Sequence, residues 1–151
     1  RVGETKAGLD IPRLFTLAVL AGALISFGAM FVTVTAAGAG DVLPYGITHL
    51  LTGFTFTLGL ILVIVGGAEL FTGNALNVMA WAAKRVNMLA LLRNWLIVFI
   101  GNPVGALATA ALMFAAGQYG FSGGAVGQTA LATAAAKAEL GFGQALALGI
   151  L

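Results

Sequence analysis

Residues 66–74 read GGAELFTGN: three glycines, a carboxylate, a hydroxyl and an amide inside a tract that is otherwise apolar. Whether those nine residues form a loop on a soluble domain or irregular backbone inside a bilayer decides the fold, and composition answers first. Soluble domains carry roughly a quarter of their residues as Asp, Glu, Lys or Arg. This chain carries 8 %, with 60 % hydrophobic residues and a mean hydropathy of +1.05. Residues 14–40, 42–68 and 94–136 contain no Asp, Glu, Lys or Arg at all, and each run exceeds the about 20 residues that a membrane span needs. The first run is also longer than a signal-peptide core of about 7 to 15 residues, so it reads as a helix that is retained. The expected fold class is all-α integral membrane, with the lipid bilayer as its first partner.

The same numbers exclude other functions. Seven basic residues against five acidic ones give a pI near 9.4, too sparse for a nucleic-acid surface. Without cysteine there is no disulfide, thiolate nucleophile or iron–sulfur ligand. A single histidine, His49, does not make a zinc or bis-histidine haem site. No metal, no cofactor and no enzymatic activity are expected.

Along the chain, DIP at 10–12 is a helix start, an aspartate ahead of a proline that needs no amide partner. Span 1 is expected from about Leu14 to Ala36. AGAGD at 37–41 and Pro44 break it, and the next charge-poor tract, about 46–83, is interrupted near 66–74. As one straight helix that tract is close to double the roughly 30 Å hydrocarbon core, so it is either a hairpin of two spans or one crossing with an irregular middle. The positive-inside rule favours the single crossing, because the clusters Arg1/Lys6/Arg13 and Lys84/Arg85/Arg93 then share the cytoplasmic side. Trp81 and Trp95 flank the second cluster as an interfacial belt would, with Tyr45 and Tyr119 on the opposite side. Span 3 is expected over 94–116, followed by a flexible outer loop, GQYGFSGGAVGQ at 117–128. A fourth stretch over 140–151 is too short to cross. Three spans and the start of a fourth read as one incomplete transmembrane domain.

Irregular backbone at membrane depth is tolerated only where protein buries it or it lines a wet cavity. In transport proteins such breaks face substrate, and the positive end of a half-helix favours an anion. Thr72 or Asn74 is expected to cap the second half, and Glu69, an intramembrane carboxylate, to hold the loop's shape by accepting hydrogen bonds. The competing reading gives the glycines to close helix packing and makes Glu69 an ordinary satisfied buried acid. For Gly101 and Gly105, spaced i and i+4, packing is the favoured reading; Asn94 and Asn102 read as interhelical hydrogen bonders, Pro103 as the source of a kink, and His49 as a solvated interface residue.

Taken with NWLIVFIGNPVGA at 94–106, LPYGITHLLTGFTFTLGLILV at 43–63 and KAELGF at 137–142, GGAELFTGN resembles the formate/nitrite transporter family in order and spacing over almost the whole chain. The resemblance implies an aquaporin-like bundle of two inverted halves with broken second and fifth helices, of which this chain holds the first inverted repeat and the start of a fourth span. It implies a homopentamer with one pore per protomer. Leu70, Phe71 and Thr72, with Gly73 and Asn74 after them, match the loop that opens or closes the pore, supported by Glu69. Phe56 and Leu60 match apolar constriction residues, and Lys137 matches a basic residue that draws anions into the outer vestibule. Pro103 departs from the aliphatic residue usual in the family. The family's pore histidine belongs to the fifth helix, so His49 is not its counterpart.

The function expected is therefore a channel or transporter for small monovalent anions, formate first and nitrite or hydrosulfide as alternatives, in the inner (cytoplasmic) membrane, multi-pass, with the N-terminus cytoplasmic. Two rivals come from other classes. An aquaporin-like neutral-solute pore is expected to carry paired Asn-Pro-Ala boxes, whereas GNPVG at 101–105 has only Asn-Pro. A non-transporting membrane anchor leaves the broken helix and Glu69 without a purpose.

Overall fold

The computed structural model describes residues 8–150, apart from the side chain of Asp41; Arg1 and Lys6 of the N-terminal basic cluster and Leu151 of the fourth stretch lie outside the described residues. Among those described, every regular element is helical.

Helix α1 spans Ile11–Ala36. The Asp10 carboxylate accepts from the Arg13 amide at 3.4 Å, and Pro12 occupies the first turn, the start that DIP announces. Its 26 residues rise about 39 Å, enough to cross a bilayer. Gly38, at φ +74°, ends it, and Pro44 then leads into α2, Tyr45–Val65.

Helix α2 stops for a local reason. Gly67 adopts φ +59°, its N–H donates to the Ile64 carbonyl at 3.2 Å, and the Ala68 N–H donates to the Val63 carbonyl at 3.0 Å. This is the paired capping pattern that a left-handed glycine closes at a helix C-terminus. Residues 68–70 follow without regular structure. Two short helices come next, α3 at Phe71–Asn74 and α4 at Asn77–Ala82. Six helical residues rise only about 9 Å, so no second crossing lies between residues 66 and 87. No second helix of spanning length therefore follows α2 before residue 88, as a hairpin of two spans would require.

Helix α5 runs Met88–Ala115, starting six residues earlier than the 94 expected from the sequence. The expectation placed the boundary after the last charge. The actual start is set by Asn87, whose side-chain oxygen accepts from the Ala90 amide at 2.7 Å. Arg93 is carried inside the helix because its guanidinium reaches the Leu9 carbonyl at 2.9 Å. The helix is continuous through Pro103.

Residues 117–128 also differ from the flexible loop expected. Gln118–Gly124 wind into 3-10 turns, with Ser122 at φ +54°, and α6 runs Ala125–Ala138. The alanine-rich stretch from 125 onward has the highest intrinsic helix propensity available, and burial of Val126 anchors it. Helix α7, Phe142–Ile150, is exposed along its length.

α1, α2 and α5 are the helices long and apolar enough to span a membrane, and α1 packs against both of the others. Small residues let them approach. A Cβ on Gly22 would overlap the Asn102 carbonyl, and one on Gly105 would overlap the Val19 carbonyl, while Gly28 and Gly59 face each other across α1 and α2. Where the surrounding solvent is itself hydrocarbon, such close backbone contact and interhelical hydrogen bonds replace the hydrophobic drive. The interior is accordingly small: Leu14, Ala18 and Val98 form one cluster, Ala21, Val63 and Ala68 another.

Candidate functional site: the break after α2

Just past Ala68, the Glu69 and Phe71 amides and the Glu69 carbonyl are met by groups on α1 and α5. The Glu69 amide donates to the Leu17 carbonyl of α1 at 3.1 Å. Asn102 of α5 serves three groups at once: its Nδ2 donates to the Ala18 carbonyl at 2.9 Å and the Glu69 carbonyl at 3.0 Å, and its Oδ1 accepts from the Phe71 amide at 2.9 Å. One side chain thus ties α1, the break and α5 together. Backbone groups that lipid would leave unsatisfied at considerable cost are met.

Beneath the turn lies a buried polar cluster. Asn74 Nδ2 donates to Glu69 Oε2 at 2.7 Å and to Asn94 Oδ1 at 3.0 Å, and Asn77 Nδ2 reaches the same Asn94 oxygen at 3.2 Å. All four residues are buried, with Asn74 and Asn94 fully so. The carboxylate is thus hydrogen-bonded to the Asn74 side chain of the same segment. Low local dielectric makes a satisfied network of this kind rigid.

The capping expected from Thr72 or Asn74 is not what forms. The second half starts as α4 with Leu76 at its N-cap, without a side-chain hydrogen bond, and Thr72 and Asn74 lie inside the short α3 before it, which Leu70 leads in extended conformation. Leu70 precedes α3 because its own backbone is extended, at φ −94° and ψ 135°. The first amide, which an N-terminal anion site would use, is taken by Asn102.

The break lines a cleft of ≈ 410 Å³. Leu60, Gly67, Glu69, Leu70, Thr72 and Gly73 contribute to its wall. Thr72 is exposed there, and its hydroxyl makes no hydrogen bond among the described residues. Leu70 also packs on the cluster of Ala21, Val63 and Ala68.

The sequence-derived residues are only partly gathered. Leu60, Leu70, Thr72 and Gly73 share the cleft, with Glu69 at its floor. Phe56 lies one turn before Leu60 on α2 and does not line it. Lys137 is exposed in the last turn of α6, on an element apart from the cleft. The Phe71 ring points the other way, against Phe99 at a centroid distance of 5.5 Å and Trp95 at 6.4 Å, and onto the cluster of Leu14, Ala18 and Val98. Trp95, expected in an interfacial belt, is half-buried, and its Nε1 donates to the Asn74 carbonyl at 2.8 Å. Asn77 carried no signal in the sequence analysis, because an isolated asparagine in an apolar helix looks the same whether or not a partner waits for it. His49 is exposed, its ring 4.1 Å from that of Tyr45.

Three apolar helices of spanning length among the described residues, with a helix broken over a cleft, define a multi-pass membrane protein of the discontinuous-helix type found in transporters. A family model described as formate/nitrite transporter matches residues 1–151, and the chain belongs to that family. It is 42 % identical over 149 residues to the formate channel FocA of Escherichia coli strain K12, covering 99 % of this chain and 52 % of that protein. With the formate channel FocA of Haemophilus influenzae it shares 40 % identity over 137 residues, 91 % of this chain and 48 % of that one. Among solved structures, a pentameric formate channel with formate bound superposes with a TM-score of 0.83 at 40 % identity, covering 92 % of this chain and 54 % of that one. The chain thus spans about half the length of these relatives.

Proposed function

We propose that this chain forms the first half of a channel for small monovalent anions, with formate as the preferred substrate and nitrite or hydrosulfide as the alternatives within the family. The observation that carries the reading is the break itself. Backbone is withdrawn from helical bonding at Gly67, held from behind by Asn102 and the asparagine–glutamate cluster, and left open in front where Leu70 and Thr72 line a cleft. A packing device has no need of an open front. Identity of 42 % to a formate channel along nearly the whole chain supports formate as the first choice.

In this reading Leu70, Thr72 and Gly73 form the moving wall of the pore, Leu60 and Phe56 narrow it along α2, and Asn74 and Glu69 support the loop from beneath. Lys137 concentrates anions outside. Five copies assemble, as in the solved relative. The protein sits in the inner membrane with residues 8–13 and 83–93 on the cytoplasmic side, the arrangement that the basic residues favour.

The test is flux from liposomes holding the full-length polypeptide, with formate, nitrite and a neutral osmolyte of similar size offered in parallel. Formate should pass faster than the osmolyte. Equal passage of both would favour a neutral-solute pore, and no passage of any of the three would favour a membrane anchor.

A further inference from the structure

The loop is held at two points by one helix, and of the residues held, Glu69, Phe71 and Asn74, only Glu69 also lines the cleft. At its leading end Asn102 of α5 takes the Glu69 carbonyl and the Phe71 amide. At its trailing end Trp95, two turns earlier on α5, donates Nε1–H to the Asn74 carbonyl. That carbonyl needs a donor because α3 and α4 are not continuous: the Val78 amide, which an unbroken helix would direct to Asn74, bonds to the Ala75 carbonyl instead. Between the two points Phe71 turns its ring onto Phe99 and Trp95 of the same helix.

From these contacts we infer that α5 acts as a clasp on the pore loop, with Asn102 and Trp95 as positioning residues and Phe71 as the anchor between them. The inference rests on the channel reading above and deepens it. With the backbone of residues 69, 71 and 74 bonded to α5, the side chains of Leu70 and Thr72 are aimed into the cleft, and the loop rearranges only when a clasp bond opens. Phe71 then acts from the packed side, as part of the hinge that holds the wall in place.

The experiment uses the full-length protein in liposomes, in three forms: wild type, Trp95→Phe and Asn102→Leu. Trp95→Phe keeps an aromatic ring against Phe71 and removes only the donor to Asn74. Asn102→Leu removes the acceptor for the Phe71 amide at similar volume. Two quantities are read on the oligomeric fraction: the ratio of neutral-osmolyte leak to formate flux, and hydrogen exchange of the peptide covering residues 69–76, which reports local opening. The clasp predicts that Trp95→Phe raises the leak ratio severalfold and speeds exchange in that peptide while other α5 peptides stay as in wild type. It predicts a larger change on both for Asn102→Leu. Should Asn102→Leu fail to assemble, Trp95→Phe alone decides. Variants with wild-type ratio and wild-type exchange, whatever their yield, would overturn the clasp. A wild type that passes no anion would instead sink the channel reading, with exchange in the two variants still reporting on the clasp.

Discussion

Replacing Thr72 by valine separates what the loop does from what holds it. The two side chains have nearly the same shape, and the Thr72 hydroxyl faces the cleft without a hydrogen bond among the described residues. Its removal therefore strands no buried partner, and the change in stability should stay within about 0.5 kcal/mol, the usual range for an exposed position. Transport differs. If the hydroxyl donates to an oxygen of the passing anion, losing that bond costs about 0.5–1.5 kcal/mol, which at room temperature is roughly a 2- to 13-fold change in rate or occupancy. The assay is formate and nitrite flux into liposomes at matched protein density, with oligomer yield and melting temperature of the detergent-solubilised protein as controls. The expected outcome is unchanged assembly and melting, with formate flux lowered severalfold or the formate-to-nitrite preference altered. Thr72→Val with wild-type flux and selectivity for both anions would show that the hydroxyl does not touch the substrate, and the pore role proposed for Thr72 would be wrong.

Three further outcomes follow from the same structure. Lys137→Gln should lower anion flux at low ionic strength and approach wild type as salt rises toward a Debye length of about 3 Å at 1 M; a deficit that ignores salt would assign the residue to packing. Gly22→Ala places a methyl group into the Asn102 backbone, whereas Gly53→Ala meets nothing within 4 Å, so the first should reduce oligomer yield or melting temperature and the second leave both unchanged. Equal behaviour of the two would contradict the close α1–α5 contact. Because residues 1–151 contain no cysteine, Ala83→Cys introduces the single thiol among them, and an impermeant thiol reagent should reach that position only from the cytoplasmic side; labelling of it in intact cells from outside would reverse the proposed orientation.

The sequence by itself determined those features that depend on a residue and its near neighbours. Uncharged runs specified the bilayer as solvent, Asp10 with Pro12 started α1, and the glycine pair at 66–67 ended α2, because a left-handed glycine and the capping bonds it allows are decided within one turn of chain. Gly101 and Gly105 were likewise legible as contact residues from their spacing. Tertiary structure decided where the side chains of the break go. Leu70 and Thr72 face the cleft while Phe71 between them faces α5, an alternation that depends on the extended arrival at residue 70 and on an aromatic partner at position 99. Asn102 could be read as a hydrogen bonder, but its three partners come from α1, the break and the first turn of α3, and only packing brings them within reach. Trp95 was legible as an aromatic beside a basic loop, but nothing local in the sequence pairs its N–H with the Asn74 carbonyl left over at the α3–α4 discontinuity. Local backbone preference settles where a helix stops, whereas the fate of the polar groups thereby released depends on which distant helix lies against them.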